Sequence, residues 1–179
     1  MKNQNLKGLF ADELKDVYSA EKQILSLLPR FISLACTTEL KDALSSHLKE
    51  TENQVRRIEK IFSIVGIAPA ENFCEGMGGL IKEANEITAE TSKSHLLDAA
   101  IISAAQKIEH YEIASYGTLR SFAKQLDFNS EVISLLQETL DEEAAADKKL
   151  TKIADGSFFS SGINKQAFEE EATSPKARY

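Results

Sequence analysis

The 179-residue sequence is short of most residues that break helices, crosslink chains or bind soft metals: eight glycines, three prolines, two cysteines, three histidines and no tryptophan. Two cysteines, Cys36 and Cys74, without patterned spacing exclude a disulfide framework and a thiolate zinc site. They are read as small buried or half-buried thiols without a functional role. The opening stretch MKNQNLKGLFADELKD carries no apolar run of signal-peptide length, and nothing later approaches the ~20 apolar residues of a membrane span. A soluble, cytoplasmic protein is therefore expected. Lysine and arginine number 21 against 28 aspartates and glutamates, a formal charge of −7. That sign repels phosphate backbones and anionic lipid, so neither nucleic acid nor a membrane is an expected partner.

The few glycines and prolines cluster between long stretches of helical period, which predicts an all-α fold. A first helix spans about Leu6 to Ala35, with an apolar stripe of Phe10, Leu14, Val17, Ile24, Leu28 and Phe31 and an expected bend at Pro29. A second starts near Thr37 or Thr38, either able to act as N-cap. It runs to Val65, where Gly66 stops it, on a stripe of Leu40, Leu44, Ile58, Ile61 and Val65. Residues 66–92 hold the mid-chain glycines, with room for a short helix from Leu80 to Ala89. A third long helix covers about Ser94 to Leu126, with Ile101, Ile102, Ala105, Leu119 and Phe122 inward. A fourth covers Ser130 to Ala154, with Val132, Leu136, Leu140, Leu150 and Ile153 inward. Two helical hairpins joined by one long crossover containing a short helix make a ferritin-like four-helix bundle, residues 1–154. Residues 155–179 are expected to be a polar C-terminal extension, mobile or lying along the surface.

Each stripe is interrupted by polar side chains near mid-helix. The first passes through Glu21, and the second through His47, Glu50 and Gln54. The third carries Glu109, Glu112 and Tyr116, and the fourth Glu143 and Asp147. Burying Glu21, Glu50, Glu109, Glu112, Glu143 and Asp147 ionised and unpaired costs several kcal/mol per ion, and Arg57 is the one obvious basic residue near a stripe. Raised pKa values could neutralise the carboxylates. Two divalent cations do so more directly, because they accept oxygen ligands from several helices at once. A thiolate-free, oxygen-rich donor set with an imidazole or amide suits iron or manganese. Glu21 followed by Glu50 and Gln54 in one hairpin also parallels Glu109 followed by Glu143 and Asp147 in the other, the layout of a symmetric clamp for two ions.

The stretches LFADELKDVYSAEKQI, HLKETENQVRRIEKIF, KIEHYEIASYGTL and ETLDEEAAADKKLTKIA, in that order over about residues 6–154, together resemble the YciE/YciF-like family of bacterial ferritin-like proteins. The resemblance implies a stress-associated cytoplasmic protein, a homodimer, and a carboxylate-bridged dimetal centre of the rubrerythrin and ferroxidase kind. The chain departs from the wider ferritin-like pattern in lacking Glu-x-x-His on the second helix, where Asn53 follows Glu50 at that spacing, and in lacking histidine beside Glu143. Which of His47, Gln54 and Asn53 faces the metal is left open. Tyr18 and Tyr116 are expected to be core residues with partnered hydroxyls, His95 and His110 to lie at the surface, and Glu142 to point about 100° away from Glu143.

The expected function is redox chemistry at two iron (or manganese) ions per chain, with dioxygen or hydrogen peroxide as oxidant, as a ferroxidase or peroxide-consuming protein. No rubredoxin-like cysteine pair supplies electrons, so a peroxidase would need an external reductant. The alternative is a non-enzymatic dimeric metal-binding or structural stress protein, in which any metal serves to neutralise buried carboxylates.

Overall fold

The computed structural model describes residues 5–70, 72–157 and 160–173. Five long or medium helices follow one another: α1 (Leu6–Leu34), α2 (Thr38–Val65), α3 (Glu75–Glu90), α4 (His95–Gln125) and α5 (Ser130–Asp155). The α1/α2 and α4/α5 hairpins form the four-helix bundle, and α3 lies in the connection between them, giving the expected ferritin-like connectivity. No described helix is long and apolar enough to cross a membrane.

The caps explain the boundaries. Asn5 accepts a hydrogen bond from the Gly8 N–H at the start of α1, and α1 runs through Pro29 to Leu34. Gly66 ends α2 with φ +68°, a left-handed conformation that glycine adopts without steric cost. Thr37 holds the N-cap position of α2 but its side chain does not cap it. Instead the buried Asp98 carboxylate on α4 accepts the Cys36 and Thr37 N–H groups at 2.6 and 2.9 Å, pinning the α1–α2 turn to the second hairpin. The crossover helix starts five residues before the expected Leu80 because the Cys74 side chain caps it, accepting from the Met77 N–H.

The core is two apolar clusters. One gathers Ile24, Phe31, Leu40, Leu44, Ile101 and Leu150 with their neighbours. The other gathers Phe10, Leu14, Ile58, Phe62, Leu119 and Leu136. Between them lies a layer of buried polar side chains from all four bundle helices. Val65, Phe122 and Leu140, expected inward, are half-buried.

The C-terminal extension is more ordered than its composition suggests. A two-residue antiparallel pair, β1 (Gly156–Ser157) with β2 (Ser160–Ser161), leads into α6 (Ile163–Thr173), which packs on α4 and α5 through buried Ile163 and Ala167. Gly162 permits this reversal, since a Cβ there would lie 2.2 Å from the Asp155 carbonyl carbon. Residues 174–179 of the expected extension lie outside the described residues.

Candidate metal centre

The buried polar layer follows directly from helical phase. On α1 the inward steps are Leu14, Val17, Glu21, Ile24 and Leu28; on α4 they include Ala105, Glu109, Glu112, Tyr116 and Leu119. On α2 they are Leu44, His47, Thr51, Gln54 and Ile58, and on α5 Leu136, Thr139, Glu143 and Leu150. Steps of three and four residues keep these side chains on one face. The apolar flanks of each stripe then hold the polar members in the bundle interior.

His47, Glu109, Glu112 and Glu143 each offer one ligand-type atom within a set whose members all lie within 4.8 Å of one another. His47 Nε2 is 3.4 Å from Glu109 Oε1 and 3.9 Å from Glu143 Oε2. Glu21, fully buried on α1, adjoins this group and accepts a very short hydrogen bond from the Tyr116 hydroxyl. Gln54 points its amide into the same layer and donates to Glu143 Oε1 and, at 3.0 Å, to Glu142 Oε2.

Two expected ligands stand apart from the cluster. Glu50 lies at the rim, its side chain 43% exposed, with Oε2 3.5 Å from His47 Nδ1. Thr51 takes the inward position next to it and donates its hydroxyl to the His47 carbonyl. Asp147 is one step past the inward phase of α5, which falls on Ala146. Its Oδ1 accepts from Gln106 at 3.0 Å and faces the exposed His110 at 3.5 Å. The parallel between the hairpins therefore holds for Glu21 and Glu109 but not for the α2 and α5 positions, where Gln54 and Glu143 point inward and Glu50 and Asp147 do not. Asn53 is exposed and accepts a hydrogen bond from Arg56, so of the three α2 candidates His47 and Gln54 face the layer.

Burial is the leading influence on the carboxylates. It pushes Glu21, Glu109 and Glu112 well above the usual carboxylate range, and the neighbouring Glu143 charge adds to the rise in each. Burial likewise raises the Tyr116 phenol, with the Glu21 and Glu112 charges reinforcing it. Burial pulls the His47 imidazole down, but Glu50 and Glu143 outweigh it and the net shift is upward. Contact with His47 lowers Glu50 despite some desolvation. Arg57 reaches the edge of the layer, donating to the Thr139 hydroxyl at 3.3 Å, but pairs with none of its carboxylates. It forms a bidentate pair with Glu142 at 2.6 and 2.7 Å and reaches Glu138 at 2.6 Å on the outer face of α5.

Among the described residues, no lysine or arginine pairs with Glu21, Glu109, Glu112 or Glu143. Buried atoms of six facing residues lack any hydrogen-bond partner: Glu21 Oε2, both His47 nitrogens, Gln54 Oε1, Glu109 Oε2, both Glu112 oxygens and Glu143 Oε2. Unpaired buried carboxylate oxygens are costly, and this set has the chemistry of a cation site: oxygen-rich, with one imidazole and no thiolate. The cluster could hold metal ions.

The family model described as a domain of unknown function, DUF892, matches residues 5–167. The chain belongs to this family. Protein YciF of Escherichia coli K12 is 43% identical over 155 residues, covering 86% of this chain and 93% of YciF. The crystal structure of YciF, described as an E. coli stress protein, superposes with a TM-score of 0.80, covering 83% of this chain and 94% of that one. YcfI from Rhodopseudomonas palustris, for which a structural role has been suggested, gives a TM-score of 0.82 at 40% identity, covering 86% and 97% of the two chains. A Xanthomonas campestris protein at 19% identity shares the fold, with a TM-score of 0.65 over 83% of this chain and 89% of its own. The family match reaches into α6, beyond the four bundle helices.

Thr51 and Thr139, both fully buried in the polar layer, are not among the residues expected there from ligand chemistry. Strict extension of the three- and four-residue steps through α2 and α5 would have found them.

Proposed function

We propose that His47, Glu109, Glu112, Glu143 and Glu21 hold two iron or manganese ions per chain, and that the loaded protein reacts with dioxygen or hydrogen peroxide as a ferroxidase or peroxide-consuming protein. The observation that carries this reading is the set of unpartnered buried oxygen and nitrogen atoms converging from four helices. When bound, such ions supply two-electron redox chemistry toward dioxygen or peroxide. The chain's part is to bind, orient and exclude water. Gln54 steadies Glu143 through its amide, and Tyr116 fixes Glu21. The apolar clusters above and below close the layer to water along the bundle axis. By analogy with YciF, described as a stress protein, the proposal includes a stress-associated role, and it extends to a homodimeric, cytoplasmic protein.

Anaerobic Fe(II) addition followed by exposure to oxygen or hydrogen peroxide tests it. Rapid oxidation of about two irons per chain, lost in Glu143→Ala, supports the redox reading. The suggested structural role of YcfI favours a second reading, in which metal only neutralises the buried carboxylates. Metal uptake that raises stability without oxidation would select that one.

A further inference from the structure

One cavity reaches the polar layer from outside. It lies between α2 and α5, has a volume of about 380 Å³, and its inner end is formed by His47 and Glu109. Its walls are Ala43, Leu44, Ala145, Ala146 and Leu150. The cavity exists because α5 carries small alanines at 145 and 146, of which Ala146 takes the inward phase between Glu143 and Leu150 and Ala145 lies toward the mouth.

The size and walls limit what the cavity serves. Dioxygen or peroxide needs little more room than a water molecule, whose share of liquid volume is about 30 Å³, whereas a dry apolar cavity of about 150 Å³ already accepts benzene. Pockets of about 300 Å³ and upward with apolar walls and a few polar groups are the usual form of small-molecule sites. At the inner end the His47 ring is buried, with its nitrogens directed at Glu50, Glu109 and Glu143, so that end of the cavity closes on the polar layer.

The rim sets the charge. Glu50, Glu138, Asp141 and Glu142 surround the mouth, against Lys149 in the lining and Arg57, which is engaged by Glu138 and Glu142. Acidic groups outnumber basic ones, which disfavours anions and favours a cationic head on an apolar body.

We propose that the α2–α5 cavity is a binding site for a small organic cation with an apolar, ring-sized body, seated with the body against Ala43, Ala146 and Leu150 and its charged end at the acidic rim. A molecule held there lies against His47 and Glu109. The inference rests on the metal reading for its functional meaning, as the substrate class of that centre, but binding itself can be measured with and without metal.

The test is a titration of the full chain, metal-free and manganese-loaded, with 2-phenylethylamine, 2-phenylethanol and 3-phenylpropionate, followed by amide chemical shifts in the metal-free form and by calorimetry in both. The amine is expected to shift the Ala43, Leu44, Ala145 and Ala146 resonances and to bind at least about tenfold more tightly than the propionate. Ala146→Leu, and independently the more exposed Ala145→Leu, should each weaken the amine about tenfold or more while leaving manganese uptake intact. Asp141→Asn should narrow the gap between amine and propionate. The proposal is overturned if no probe shifts these resonances, if the propionate binds as tightly as the amine, or if both leucine variants bind the amine normally. It is equally overturned if the wild-type chain is a dimer at working concentration and the cavity resonances move only on its dissociation, since the occupant is then a second copy. Probe binding without manganese uptake would refute the metal reading and leave the pocket standing.

Discussion

His47 Nε2 on α2 lies 3.4 Å from Glu109 Oε1 on α4, across the bundle interior, while His47 Nδ1 faces Glu50 Oε2 at the rim, 3.5 Å away. One imidazole thus joins a buried carboxylate to a half-exposed one. It is also the one nitrogen base in a cluster otherwise made of carboxylates.

His47→Ala removes that base and one ligand atom. Manganese or iron affinity should fall by at least the 10- to 100-fold typical of lost partners around a metal ligand, measured by calorimetry, with the helical content by circular dichroism retained.

Tyr116→Phe removes the hydroxyl that holds Glu21. The shape of the core is preserved, so the expected effect is on the metal: a loss of affinity of about 10- to 100-fold without loss of the folded state. Unchanged binding would show that Glu21 needs no such anchor.

Glu112→Gln should act with opposite sign in the two states. Both Glu112 oxygens are buried without a partner, so replacing the carboxyl with an amide should stabilise the metal-free protein by about 1–3 kcal/mol while weakening metal uptake. Because Glu112 has no counterpart in the first hairpin, one of two ions should be lost before the other. Urea midpoints with and without metal read the first effect, and a metal titration reads the second.

The pH dependence follows from the raised carboxylates. Burial raises Glu21, Glu109 and Glu112, so the folded, metal-free chain keeps protons that the unfolded chain releases above about pH 4.3. Their contribution is whole below that value and is lost as pH rises through the folded pKa values. His47, also raised, contributes stability of the same sign, lost as pH climbs past the ordinary imidazole range. Glu50 is lowered, so its smaller contribution is present above the usual carboxylate pKa and lost as pH falls through the folded one. The net expectation in chelator is falling stability from about pH 5 to about pH 8. Metal-loaded protein should show the reverse slope, because ligands must give up protons to bind. Urea unfolding across that range, with and without manganese, checks both slopes.

Asp147→Asn should leave metal affinity unchanged, since Asp147 is held by Gln106 outside the cluster. A large loss would require Asp147 to swing inward on loading.

Much of this is legible in the residues, and each miss has its own physical cause. Four helices, their boundaries to within a few residues and the polar interruption at mid-bundle follow from apolar period and from the grouping of glycines. Glu21, Glu109, Glu112 and Glu143 follow from the same stripes. Glu50 and Asp147 were assigned by ligand chemistry and by the parallel between hairpins, but helical phase puts Thr51 and Ala146 inward beside them. A carboxylate one residue off the stripe turns by about 100°, enough to move it from the interior to the rim. The start of the crossover helix is hard to read because cysteine at an N-cap is an uncommon start signal, and α6 does not show in the sequence because its short apolar face, Ile163 and Ala167, is too sparse to give a period.

The central claim is that the polar layer exists to hold metal. Its most direct test is metal content after anaerobic equilibration with Fe(II) and desalting, for the wild type and for Glu109→Gln and Glu143→Ala. The account predicts about two irons per wild-type chain and a stoichiometric loss in both variants. Wild-type protein that retains no iron, or variants that retain as much as the wild type, would contradict it.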